Sequence, residues 1–175
     1  MGSFVKALSF ASEKHRNQRR KDADASPYIN HPIALTNVLV NEGNIRDEAV
    51  LLAALLHDTI EDTETTADEL REKFGEEITA IVLDVTDDKS LDKQARKQKQ
   101  IEHAPHIRPG AKLVKLADKI CNLRDVLASP PTGWSAKRRQ EYFEWAARVV
   151  DGLRGTHAGL EAIFDALYAR RSELI

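Results

Sequence analysis

The chain reads as an all-α protein, and three observations carry that expectation. Apolar residues recur three and four apart along nearly the whole length, and capping or breaking residues punctuate those runs. The one strand-like stretch, Ile81-Val82-Leu83, sits inside helical spacing on both sides. The expected architecture is one domain over residues 1–175, a bundle of about eight to ten helices with ends uncertain by ~2–4 residues.

Each element has its own reason. Phe4, Ala7, Leu8 and Ala11 stripe a first helix, expected to run out into Arg19-Arg20-Lys21 before a loop over 22–27. A second starts at Pro32, whose ring suits a first helical position, and stops near Gly43. The run Ala49 to Leu56 is apolar on every side and reads as a buried third helix. Thr66-Ala67-Asp68-Glu69 is a capping box opening a fourth, which Gly75 closes behind Phe74. Ile78, Ile81, Val82 and Val85 line a fifth, Ser90 begins a charged sixth, and Pro105 and Pro109 break the chain across 104–110. Leu113, Leu116, Ile120, Leu123 and Leu127 stripe a seventh. Pro130-Pro131-Thr132-Gly133 is a turn, after which Ser135 caps the helix of Tyr142, Trp145, Ala146 and Val149. Leu160, Ile163, Phe164 and Leu167 line the last.

Composition sets outer limits. A chain of 175 residues supports one domain with a substantial core and is short for two. A net charge of −2 and a pI near 6.3 predict no global attraction to nucleic acid or to a membrane surface. The single Cys121 excludes an intrachain disulfide and fits a reducing, cytoplasmic compartment. No apolar segment is long enough to span a bilayer, and no signal peptide is expected.

The chemistry concentrates in Leu55-Leu56-His57-Asp58-Thr59-Ile60-Glu61-Asp62-Thr63, where an imidazole and three carboxylates follow an apolar run. Charges entering a buried region must pair, and a divalent cation is the natural partner. On a continuous helix His57 and Glu61 lie four apart, as do Asp58 and Asp62. Further ligand candidates are His31, at a helix entrance before Pro32, and Asp118, beside the seventh helix's apolar stripe with Asn122 one turn on. Two imidazoles and two carboxylates neutralise a dication, and the mixed donor set favours manganese, iron or zinc over calcium or magnesium. Basic segments around Lys14 to Lys21, Lys93 to Lys99 and Lys112 to Lys119 flank this acidic centre, as suits a small polyanion.

The segments Lys14 to Lys21, Pro27 to Pro32, His57 to Thr63, Val85 to Lys89, Lys112 to Asp125 and Gln140 to Ala147 resemble, in this order, the HD-domain phosphohydrolases. The likeness is to the stand-alone, metazoan-type alarmone hydrolases of the RelA/SpoT homologue family, and it covers almost the whole chain. It implies an HD-type helical bundle with His31, His57, Asp58 and Asp118 as ligands of one manganese ion. It implies Glu61 and Asp62 as the acid/base and water-positioning pair and Asn122 as a polar contact in the same cleft. Arg20, Lys21, Lys93, Arg138 and Tyr142 map to its substrate contacts. The implied reaction removes the 3′-diphosphate of guanosine tetra- or pentaphosphate; the synthetase and regulatory domains of the long family members have no room here.

Plainer readings stand beside these. His31 alone suits a helix cap, Asp118 a surface pair with Lys115 or Lys119, Asn122 a water-facing position, and Glu61-Asp62 an acidic first turn. Lys93 and Arg138 alone read as solvated helix surface. His15 and His157 read as surface residues, His103 and His106 as non-ligands across a proline break, and Cys121 as packing. Two rival functions are an HD hydrolase of another nucleotide, such as the 2′-phosphate of NADPH, and a silent nucleotide- or RNA-binding module. The complete set of ligand-type and carboxylate residues favours hydrolysis over silent binding.

Overall fold

A computed structural model describes residues 1–174 and places them in helices joined by short turns. The α-helices are α1 (Gly2–Lys14), α2 (Asn30–Asn37), α3 (Glu48–Leu56), α4 (Thr59–Asp62), α5 (Ala67–Phe74), α6 (Glu76–Val85), α7 (Lys93–His103), α8 (Pro109–Ala128), α9 (Ala136–Asp151) and α10 (Ala158–Ala169). No strand is present among the described residues; one isolated bridge joins Arg19 and Pro27. No helix among them is long and apolar enough to cross a membrane.

Two helices organise the rest. In α3 every residue from Val50 to Leu56 is buried, and the Asp47 carboxylate caps its start by accepting from the amides of Ala49 and Val50. Burying its four leucines contributes about 1.5–3 kcal/mol apiece, far more than helix propensity does. The 20-residue α8 buries Val114, Leu116, Ala117, Ile120 and Leu123 against α2, α3, α6, α9 and α10. Because α2 packs on both α3 and α8, His31 at its first turn is carried to where the end of α3 meets the middle of α8.

Several boundaries follow expectation. Thr66 caps α5 through the amide of Glu69, Gly75 ends it with a φ of +89° that only glycine adopts without strain, and Ser135 caps α9. Others move for identifiable reasons. Helix α1 stops at Lys14 and does not reach Arg19: the amide of Tyr28 bonds the carbonyl of Gln18, and that of Arg20 the carbonyl of Ser26, drawing the segment into a short antiparallel pairing. Helix α2 begins at Asn30, two residues before Pro32, and relaxes into a π-turn over Val38–Glu42. Helix α7 begins at Lys93 because Asp92 caps it, while Ser90 turns back onto the carboxylate of Asp88.

At the site, the buried third helix ends at Leu56 as expected, and a short unexpected helix, α4, follows it, with Asp58 between them at φ −99° and ψ 0°. Side chains take the carbonyls there: His57 Nδ1 reaches the Ala54 oxygen at 2.8 Å and Thr59 Oγ1 donates to the Leu56 oxygen at 2.7 Å. The helical turn from Asp58 to Asp62 is kept, the Asp62 amide bonding the Asp58 oxygen at 2.9 Å.

Candidate active site

Three elements deliver one cluster. Donor atoms of His31 (α2), His57 (after α3) and Asp118 (α8) all lie within 4.8 Å of one another. His31 Nε2 is 3.1 Å from Asp118 Oδ1, and the imidazole rings of His31 and His57 are 5.3 Å apart. Asp58 joins them with Oδ2 2.8 Å from His57 Nε2.

The hydrogen bonding leaves this cluster able to take up a cation. His57 Nδ1 has a carbonyl partner, so it carries the ring proton and Nε2 presents a lone pair. That buried Nε2 has no satisfactory hydrogen-bond partner, even though a carboxylate oxygen sits 2.8 Å away. Two electron-rich atoms in such contact require positive charge: either a second ring proton or a cation between them. The first is favoured by the surroundings: burial disfavours the charged ring, but the Asp58 carboxylate outweighs it and lifts His57 to about 9. The second is met by a divalent ion, which two neutral imidazoles and two carboxylates would balance.

Supporting bonds orient the donors. Burial opposes the charge of Asp118, yet Lys119 at 3.0 Å and His31 hold its carboxyl well below the usual range. Asn122 donates from Nδ2 to Asp118 Oδ1 at 2.7 Å, so it faces the ligand set and not water. The surface-pair reading of Asp118 holds only in that Lys119 is its partner; both groups are buried or nearly so. Tyr28 donates its hydroxyl to Asp58, a support with no sequence signal beyond its place before His31.

Consecutive on α4, the next two carboxylates point about 100° apart. Glu61 lines a main cavity of about 790 Å³ together with His31, His57, Asp58 and Asp118. Its Oε2 accepts the amide of Asp87 at 2.9 Å, but burial dominates and, with Asp58 and Asp87 nearby, raises it to about 7. Asp62 borders a second cavity of about 370 Å³, where it pairs with Lys89 and accepts from Gln18 Nε2 at 2.9 Å.

His15 corrects the surface reading. It is only 2% exposed, its ring centre lies 4.9 Å from that of Tyr28, and it meets Gln18 Oε1 through Nδ1 at 2.7 Å. Because a carboxylate only accepts, Asp62 fixes the Gln18 amide orientation, and that fixes the His15 proton on Nδ1. Gln18→Leu should therefore lower turnover ~10-fold while leaving metal affinity unchanged, as loss of an outer support does; an unchanged kcat would remove Gln18 from the site. His157 is likewise not a surface residue: it is half-buried, caps α10 and reaches the Gly43 oxygen at 2.9 Å.

Arg20, Lys21, Lys93, Arg138 and Tyr142 all line the main cavity. Arg20 pairs with Asp125 beside the Tyr28 ring, and the Arg138 guanidinium lies 4.5 Å from the Trp134 ring centre. Lys93 and Lys21 are exposed at the rim. Sequence reading missed the aromatic group around Tyr142, whose ring lies 5.5 Å from Trp134 and 5.3 Å from Trp145. A tryptophan eleven residues from a second one carries no signal until α9 folds over α7. Cys121 is buried packing, its thiol pushed up to about 12 by burial.

An all-helical fold with a His/His-Asp/Asp cluster at the meeting of three helices defines the HD-type architecture. A family model for the HD domain matches residues 7–148, and the chain belongs to that family. It is 56% identical over 168 residues to the guanosine-3′,5′-bis(diphosphate) 3′-pyrophosphohydrolase MESH1 of Homo sapiens, covering 96% of this chain and 94% of that one. With the Drosophila melanogaster enzyme of the same name it shares 50% over 171 residues, covering 98% and 96%. A solved structure of a metazoan SpoT ortholog that hydrolyses ppGpp superimposes with a TM-score of 0.95 at 48% identity, covering all of this chain and 98% of the other.

Proposed function

We propose that this chain is a divalent-metal-dependent hydrolase that removes the 3′-diphosphate of guanosine tetra- or pentaphosphate, releasing pyrophosphate and GDP or GTP. The observation that carries the reading is the cluster of His31, His57, Asp58 and Asp118 in a cavity also lined by cations and aromatic rings. The relatives, named for this reaction and similar over nearly their whole length, supply the substrate. Manganese is the proposed ion, held by those four side chains; when bound, it supplies Lewis-acid polarisation of a phosphoryl oxygen and acidifies water.

The chain's own residues do the rest. Glu61 faces the main cavity with a proton affinity near neutrality, so it accepts the proton of the attacking water. As the new oxygen–phosphorus bond forms, the bond from phosphorus to the ribose 3′ oxygen breaks; its electron pair stays on that oxygen, and Glu61 returns the proton there. Asp62, held by Gln18 and Lys89, acts from the adjoining cavity as a positioning group. Lys93 and Arg138 meet the substrate's phosphates, Arg20 and Lys21 line the base and ribose region, and Tyr142 offers its face to the base or ribose.

Incubation with manganese and guanosine tetraphosphate, with NADPH in parallel, tests this. GDP and pyrophosphate should appear from the first. Release of orthophosphate, or turnover of NADPH alone, would reassign the substrate. Manganese should also raise the melting temperature, with a stabilisation of ~2.7 kcal/mol when the ion is at 100 times its Kd; a melting curve indifferent to the ion would contradict the metal site.

A further inference from the structure

The cations deepest in the main cavity have partners, with one exception. Lys119 pairs with Asp118 and lies 4.5 Å from the Trp145 ring centre; Lys97 lies 4.9 Å from the same ring. Lys115 lines that cavity too and is 7% exposed, yet among the described residues it forms no hydrogen bond and no ion pair. It stands one turn before Asp118 and Lys119 on α8. The charged groups that act on it are Lys119 and Asp118 on its own helix, Asp87 after α6 and Glu61 on α4. Burial and the Lys119 charge push its amine down to about 8. An ammonium desolvated in such a place without a direct ion pair costs folding free energy, which the nearby carboxylates only partly offset. A ligand offsets the rest, if the ligand brings the anion.

We propose that Lys115 binds the diphosphate group being cleaved, its ammonium meeting the non-bridging oxygens of that group beside the His31/His57/Asp118 cluster. Lys115 forms no covalent bond; it opposes the charge that grows on those oxygens as the phosphorus–oxygen bond breaks. The substrate's identity rests on the hydrolase reading above, but the subsite is tested without turnover by inorganic pyrophosphate.

The experiment compares manganese-loaded wild type, Lys115→Met and Lys115→Arg, each titrated with pyrophosphate and, separately, with GDP. Lys115→Met should weaken pyrophosphate binding ~10-fold or more, the effect of losing one charged hydrogen bond, while GDP affinity stays within about twofold. Turnover should fall ~10²-fold, and Lys115→Arg should recover part of the pyrophosphate affinity. The metal-free Lys115→Met protein should melt above wild type, because the lone buried charge is gone. A lysine that only supports the fold gives the opposite: a lower melting point and equal losses for both ligands, and that pattern overturns the proposal. Should Lys115→Met fail to fold, Lys115→Gln must show the same selective loss of pyrophosphate, and equal losses there also overturn it. If wild type leaves guanosine tetraphosphate intact but pyrophosphate binding still depends on Lys115, the hydrolase reading falls and the subsite stands. If wild type hydrolyses it and Lys115→Met binds pyrophosphate normally, the subsite alone falls.

Discussion

Glu61→Gln is expected to lower kcat by ~10²–10⁴-fold, the range for losing a positioned proton acceptor, while the protein still binds its metal. The substitution is nearly isosteric, and glutamine keeps an oxygen to accept the Asp87 amide, so the local structure should hold. Stability carries a second signature. Burial raises the Glu61 carboxyl from 4.5 to about 7. The folded chain therefore holds this proton more tightly than the unfolded one. Its contribution is fully present below pH 4.5 and is lost as pH rises through 7, where ionising the buried group opposes folding. Metal-free Glu61→Gln should accordingly be more stable than wild type at pH 8 by about 1–3 kcal/mol, and no different near pH 4. Denaturant titrations at the two pH values check this. Loss of metal together with activity would instead make Glu61 a ligand.

Asp118→Ala should produce the largest combined effect. It removes a ligand-type oxygen, so metal affinity and turnover should vanish together. It also strips the partner from Lys119, whose side chain is 4% exposed, and from Asn122 and His31. Breaking a buried pair from one side typically destabilises by about 3–5 kcal/mol. Asp58→Ala should lose metal and turnover equally but with a smaller stability loss, because its partners are the Tyr28 hydroxyl and a histidine that, unlike Lys119, can shed its proton. Equal unfolding midpoints for the two variants would show that Lys119 does not depend on Asp118.

The ligand-type residues were legible in sequence because their surroundings are local. An apolar helix that ends in His-Asp, a histidine before a proline and an aspartate beside an apolar stripe are each visible within a dozen residues. The all-helical architecture was legible for the same reason, since capping and periodicity act over one or two turns. What escaped reading depends on chain segments far apart. The turn after α1 is shaped by Tyr28 and Ser26, and it buries His15 so that Gln18 meets Asp62, 44 residues away. The short helix α4 escaped reading too: a histidine and a threonine bond to the carbonyls at the end of α3, and the chain then turns again over Thr59–Asp62. Lys115 looked like any basic residue on an amphipathic helix; its isolation appears only when α4 and the loop after α6 close around it.

The decisive measurement is spectroscopic titration of the purified chain with manganese(II), counting bound ions and the imidazole nitrogens coupled to them. One ion per chain, coupled to two histidine nitrogens in wild type and to one in His31→Ala or His57→Ala, is the predicted result. Two equivalent ions, or a single ion with no histidine coupling, would contradict the convergence of α2, α3 and α8 on one cation.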